Sequence, residues 1–188
     1  MQIDKNVHDV ERLFVQVDKA ILHFVGQTSL HCPSGCATCC HGQKVSAAPL
    51  EFLPYAYSLY KLGLLEHQYW ELKTSSIEGC FIIDRVNGRC SHYETRGLIC
   101  RLFGNAAMVN REGHKAFSAC RILKDQVSTL PTFDSILQNS APVYSDFYMR
   151  LRNIDTTYGS MMIPVNQAIL KAMEIVYYNT RRKRKHSV

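Results

Sequence analysis

Eight cysteines carry the chemical content of this 188-residue chain. Four fall in one short stretch, His31-Cys32-Pro33-Ser34-Gly35-Cys36-Ala37-Thr38-Cys39-Cys40-His41, and Cys80, Cys90, Cys100 and Cys120 follow. Thiolates crowded this closely repel one another and oxidise readily unless something binds them, so the pattern points to a soft-metal or iron–sulfur site. Spacing leaves the metal open, because all-thiolate sites suit zinc and iron–sulfur clusters alike.

If the chain is helical from Cys36 onward, Cys36, Cys39 and Cys40 share a face. Adjacent Cys39 and Cys40 would then diverge by about 100° and bind one ion only with distortion. Two neighbouring centres, or one ligand beside one buried thiol, are easier. Cys80 and Cys90 flank Asn87-Gly88, a two-residue hairpin signal, which could present both thiolates to one metal as a knuckle does. Arg89, Arg101 and Arg121 each adjoin a cysteine, and Arg96 lies between two. Their guanidinium groups either offset thiolate charge and hydrogen-bond to sulfur, or are solvated surface groups. His31, His41, His92 and His114 read as surface or supporting residues, since eight thiols already suffice as ligands.

Taken whole, the pattern resembles the YkgJ-type cysteine-cluster family, small bacterial proteins with a CxxCxxCC motif that are described as zinc- or iron-chelating. A later segment of that family runs roughly C-x-x-Y-E-x-R-P-x-x-C-R-x-F. Here it is matched by Cys90, Tyr93, Glu94, Arg96, Cys100, Arg101 and Phe103. The resemblance covers about residues 32–121 and finds a place for all eight cysteines. Two departures stand out: Cys32-x3-Cys36 replaces the x2 spacing, and Gly97 replaces proline, which loosens the turn before Cys100. These readings together rank Cys36, Cys39, Cys90 and Cys100 first as ligands, then Cys40, Cys80 and Cys120, with Cys32 last. The bound group implied is zinc or iron, a [4Fe-4S] cluster included.

Two rival chemistries share these residues. Cys32-x3-Cys36-x2-Cys39 reproduces the radical S-adenosylmethionine spacing, but Thr38 stands where that motif has an aromatic. No repeating strand–helix pattern follows, as a partial barrel requires. A related cysteine segment occurs in flagellin lysine methylases, so the alternative function is an iron–sulfur enzyme that modifies a protein or peptide in a SAM-dependent, methylase-like way. No nucleophile with its base is visible to support it.

The formal charge of +6 is concentrated at one end: Arg181-Arg182-Lys183-Arg184-Lys185 carries five charges and leaves 17 basic against 16 acidic residues elsewhere. No helix with spaced base-reading residues follows the cysteine pairs, so no specific nucleic-acid binding is expected. The first residues carry acids and no apolar run, and no window is apolar enough to cross a membrane. The expectation is a cytoplasmic, reducing compartment, where the cysteines are metal ligands. The partner is the metal ion, with room left for a protein partner.

These thiols need a scaffold to gather them. Apolar residues at Ile3, Val7, Val10, Leu13, Phe14, Val17, Ala20, Ile21 and Phe24 predict an amphipathic helix that Gly26 stops. Ser46 reads as the N-cap of a helix running to Gly63, with Pro54 kinking it or delaying its start. A second helix covers Leu64 to Leu72, and the nearby Phe52, Tyr55, Tyr57, Tyr60, Tyr69 and Trp70 read as core. Hairpins are expected around Asn87-Gly88 and around 110–113, then helices over Tyr144–Ile154 and Pro164–Asn179. The fold class is α+β: a mainly helical single domain with short β-hairpins around a cysteine-lined metal core. Its parts are an N-terminal helix (1–26), the cysteine-cluster core (32–121), a C-terminal helical part (122–180) and an unstructured basic tail (181–188).

Overall fold

Every third or fourth residue along the first helix is apolar, and the helix buries that stripe. In the computed structural model, which describes residues 2–30, 36–41, 45–84, 86–127, 130 and 132–185, helix α1 spans Gln2–Thr28. Ile3, Val7, Val10, Leu13, Phe14, Val17 and Phe24 are all buried. Gly26 does not stop it. A helical glycine costs only about 1 kcal/mol relative to alanine, and the packing of Phe24 outweighs that. The end comes at Ser29, whose φ of 57° is left-handed. There the Thr28 hydroxyl donates to Phe24 O and accepts from Leu30 N.

After the cysteine stretch, Ser46 enters a strand rather than a helix cap: β1 is Ser46–Ala47. A 3-10 turn over Pro49–Phe52 follows, and helix α2 (Leu53–Lys61) begins with Pro54 in its first turn. Proline thus delays the helix instead of kinking it, because its missing N–H is harmless there. Helix α3 (Leu65–Thr74) carries Trp70 on its exposed side, 58% accessible. Trp70 is therefore not core, and the Lys73 ammonium lies 4.9 Å from its ring centroid. Phe52 and Tyr55 are fully buried as expected.

Two short hairpins then form. Strands β2 (Ile83–Asp84) and β3 (Arg89–Cys90) pair antiparallel with Asp84 opposite Arg89, so the loop holds four residues rather than the two of a tight Asn-Gly turn. Asp84 explains the difference, because its carboxylate accepts from the N–H groups of Val86 and Asn87. Helix α4 (Leu98–Leu102) separates this hairpin from β4 (Ala107–Val109) and β5 (Lys115–Phe117), which pair around residues 110–113.

The C-terminal third holds three short helices besides the two expected ones: α5 (Arg121–Val127), α6 (Phe133–Ser140) and α8 (Thr156–Ser160). Helix α7 (Tyr144–Ile154) matches its expected bounds. Strand β6 (Ile163–Pro164) pairs antiparallel with β1 and leads into α9 (Val165–Lys185). The backbone of Arg181–Lys185 continues α9, so these residues are not an unstructured tail.

The core proper is apolar. Its larger part joins α1, α2, α7 and α9, and a smaller cluster gathers Phe24, Phe133 and Leu137 beneath β4 and β5. None of the seven described cysteines is fully buried in that core; all are half-buried, and Cys80 and Cys90 pack against its larger part. No helix among the described residues is long and apolar enough to cross a membrane.

Candidate metal centre

The described cysteines come from separate pieces of backbone, each held by its own contacts. Cys39 and Cys40 sit in one 3-10 turn, Thr38–Cys40. The chain is not helical from Cys36, since Ala37 has a non-helical ψ of 19° at φ −126°. The Cys36 thiol lies 3.4 Å from the Thr38 hydroxyl. Because the turn is short and opens at His41, Cys39 and Cys40 do not diverge as they would on an α-helix. Their sulfurs are 3.9 Å apart.

Cys80 is tied to that turn through its backbone N–H, which donates to Cys40 O at 2.8 Å. Its neighbours are clamped by α9: Asn166 accepts from Phe81 N at 2.9 Å and donates to Gly79 O at 2.8 Å. The short β1–β6 pair brings the start of α9 here, with Val165 N donating to Val45 O. Cys90 is held in β3 opposite Ile83. Cys120 precedes α5, and its carbonyl accepts from Leu123 N and Lys124 N.

Cys100 lies in α4, a helix of five residues that needs outside support. Glu51 provides it. This fully buried carboxylate accepts from Ile99 N at 2.7 Å, from Ala48 N at 2.8 Å and from the Tyr148 hydroxyl at 3.0 Å. Burial pushes its carboxyl up to about 7, against the opposing pull of those hydrogen bonds. Nothing in the sequence flags Glu51, because the cap it forms lacks the usual Ser or Thr partner. Gly97, just before α4, has φ −62°, which proline also adopts, so glycine does not loosen this turn. What glycine supplies is room: a Cβ there would stand 2.8 Å from Phe52 Cζ.

These pieces converge. Cys36, Cys39, Cys40, Cys80, Cys90, Cys100 and Cys120 all line one cavity of about 810 Å³. Cys39, Cys40, Cys80 and Cys100 also share a narrow recess of about 30 Å³ with Val45, Ile99, Phe103 and Val165. The large cavity describes the whole cysteine-lined space, while the recess is a small apolar-walled niche at four of the sulfur-bearing residues. Among the described residues, however, no group of three or more His, Cys, Asp or Glu side chains is arranged so as to hold a metal ion. Cys32, with His31 and Pro33-Ser34-Gly35, lies outside the described residues.

The electrostatics follow from this crowding. The Cys39 and Cys40 thiols share one hydrogen bond, which, with help from the Arg96 charge, favours one thiolate in the pair. The other thiol is pushed well above the ordinary thiol range by that same hydrogen bond and by burial. Burial raises Cys80 to about 11 and also raises Cys90 and Cys100, with neighbouring cysteines adding to each. One thiolate therefore forms readily in this space, and the others resist forming beside it without a cation.

The expected auxiliary residues separate. Arg101 does not line the cavity: its guanidinium binds Asp18, Glu94 O and Arg96 O and lies over the Phe14 ring. Arg96 and Arg89 line the cavity, while the side chain of Arg121 is outside the described set. His41 and His114 are exposed. His92 packs edge-on against Tyr55, at 4.8 Å between centroids, and burial pushes its imidazole pKa down. No described histidine lines the cavity.

Comparison with known proteins yields one family. A model with the description "CxxCxxCC: Putative zinc- or iron-chelating domain" matches residues 31–126, just over half of the chain. No curated protein matches it. No solved structure matches it either.

Proposed function

The chain belongs to the CxxCxxCC family, and from that premise we propose that it chelates zinc or iron through cysteine thiolates. Cys39, Cys40, Cys80 and Cys100 are the first ligand set, because they share the narrow recess. Cys90, Cys36 and Cys120 surround the wider cavity and supply further thiolates. Cys32 remains the last candidate. The single observation that carries this reading is the convergence of seven cysteines from separate elements on one cavity.

Four thiolates drawn together without a cation would repel one another, so the ligands close only as protons leave and an ion arrives. The Cys39–Cys40 pair is the natural first donor, since one thiol of the pair stabilises the thiolate of the other. Seven thiols exceed the four that one tetrahedral ion takes, which makes an iron–sulfur cluster or a second ion a finer form of the same proposal. Reduced thiols require a reducing compartment such as the cytoplasm. No observation favours the protein-modifying enzyme over chelation.

The test is metal and acid-labile sulfide content, with a visible spectrum, on protein purified without oxygen. Zinc without sulfide, in a colourless product, supports a thiolate zinc site. Iron with sulfide, in a brown product, supports the cluster form. Protein that retains neither metal and binds neither when reduced would overturn the proposal.

A further inference from the structure

Four arginines neighbour cysteines in the chain, and the fold uses them differently. Arg101 is committed to Asp18 and to the Glu94 and Arg96 carbonyls. Arg89 is exposed. Arg96 lines the cavity with its guanidinium over the Tyr93 ring, 3.8 Å from the centroid. Its Nε is buried with no hydrogen-bond partner, the one such side-chain N or O atom among the described residues. A buried donor left unsatisfied costs about 1–3 kcal/mol, and more on a charged group. Native interiors leave such atoms where something else completes them.

The surroundings indicate what completes it. No described aspartate or glutamate lines the cavity, so apart from the Tyr93 phenol the cysteines are the groups there that can become anionic. Arg96 shares the lining of the cavity with Cys39, Cys90 and Cys100, which come from three different elements. A divalent ion held by four thiolates carries a net charge of −2. A guanidinium with one N–H free to donate is the complement of such a centre. The Tyr93 ring and the Arg101 contact to the Arg96 carbonyl fix the direction from which it approaches.

We infer that Arg96 recognises a negatively charged metal–thiolate centre in this cavity, donating its Nε–H to a ligated sulfur, with Arg101 as its positioning residue. The inference rests on the chelating reading and deepens it by naming the group that offsets the thiolate charge. A lysine would not serve equally, because it lacks both the planar face that packs on Tyr93 and an Nε donor.

The test is Co²⁺ titration of the reduced full chain, wild type against Arg96→Gln and Arg96→Lys, with folding of each metal-free chain checked by circular dichroism. Arg96→Gln should bind Co²⁺ about 10- to 100-fold more weakly. Its sulfur-to-cobalt charge-transfer band should move to lower energy, because a thiolate that loses a donor holds its electrons less tightly. Arg96→Lys keeps the charge but loses the Nε donor, so it should show the band shift with a smaller loss of affinity. The band is read on bound metal and reports on sulfur rather than on folding, so Arg96→Lys carries the test if Arg96→Gln does not fold. An unmoved band with wild-type affinity in the folded variant would overturn the role of Arg96 and leave chelation standing. A wild-type chain that binds no Co²⁺ through sulfur would overturn both.

Discussion

Arg101 and Asp18 form an ion pair that fastens the helix bearing Cys100 to the long first helix. The arginine side chain is only 4% exposed, whereas the aspartate is 43% exposed. The same guanidinium also holds the Glu94 and Arg96 carbonyls, so one residue joins α1, the turn over residues 93–95 and α4. Removing it takes the donor from three part-buried contacts. Arg101→Met should therefore destabilise the metal-free chain by about 1–3 kcal/mol. Asp18→Asn should cost about 1 kcal/mol or less, since Asp18 keeps contact with water. Chemical denaturation of both variants checks this, and equal effects would contradict it.

Glu51 gives the fold a pH signature. Its buried carboxyl stays protonated to about 7, against a usual 4.5. A group whose folded pKa is raised contributes stability that is fully present below the unfolded pKa and is lost as pH rises through the folded one. The difference in unfolding free energy between wild type and Glu51→Gln should therefore shift against wild type by about 3 kcal/mol from pH 4.5 to 7.5, then level off. Denaturation curves measured across that range check it. Parallel pH profiles for the two chains would remove Glu51 as the source.

Gly97 is a matter of space rather than of backbone freedom. Gly97→Ala places a methyl group against the Phe52 ring and should cost about 1–3 kcal/mol. In a Phe52→Leu background the same change should cost less than about 1 kcal/mol, because the obstructing ring is gone. Additive costs in this double-mutant cycle would contradict the contact.

What the sequence disclosed follows the range of the forces involved. The stripe along α1, both hairpins and helix α7 are written in local spacing and turn residues, so they are legible. Ser46 misleads because its strand is defined by a partner near residue 164, at the far end of the chain. Gly26 misleads because a tertiary contact, Phe24 in the smaller core, carries the helix past it. The same division holds at the site. The number and types of candidate ligands are plain from the cysteines. The roles of Glu51, Asn166 and the separate arginines depend on contacts across the fold that no local pattern encodes.

Ligation and stability should be coupled at the recess. Cys39→Ser and Cys100→Ser should each lower bound metal and remove the thermal stabilisation that metal confers. Cys36→Ser and Cys120→Ser, which line only the wider cavity, should retain more of both. Metal stoichiometry and melting temperature, with and without chelator, measure the two effects together. Full occupancy in Cys39→Ser and Cys100→Ser would remove those residues from the ligand set.

The central claim is that sulfur holds the metal, and X-ray absorption at the metal edge reads that directly. Protein isolated without oxygen, carrying zinc or iron, should show a first coordination shell dominated by sulfur at about 2.3 Å. A first shell of nitrogen and oxygen alone would contradict the account, whatever the amount of metal bound.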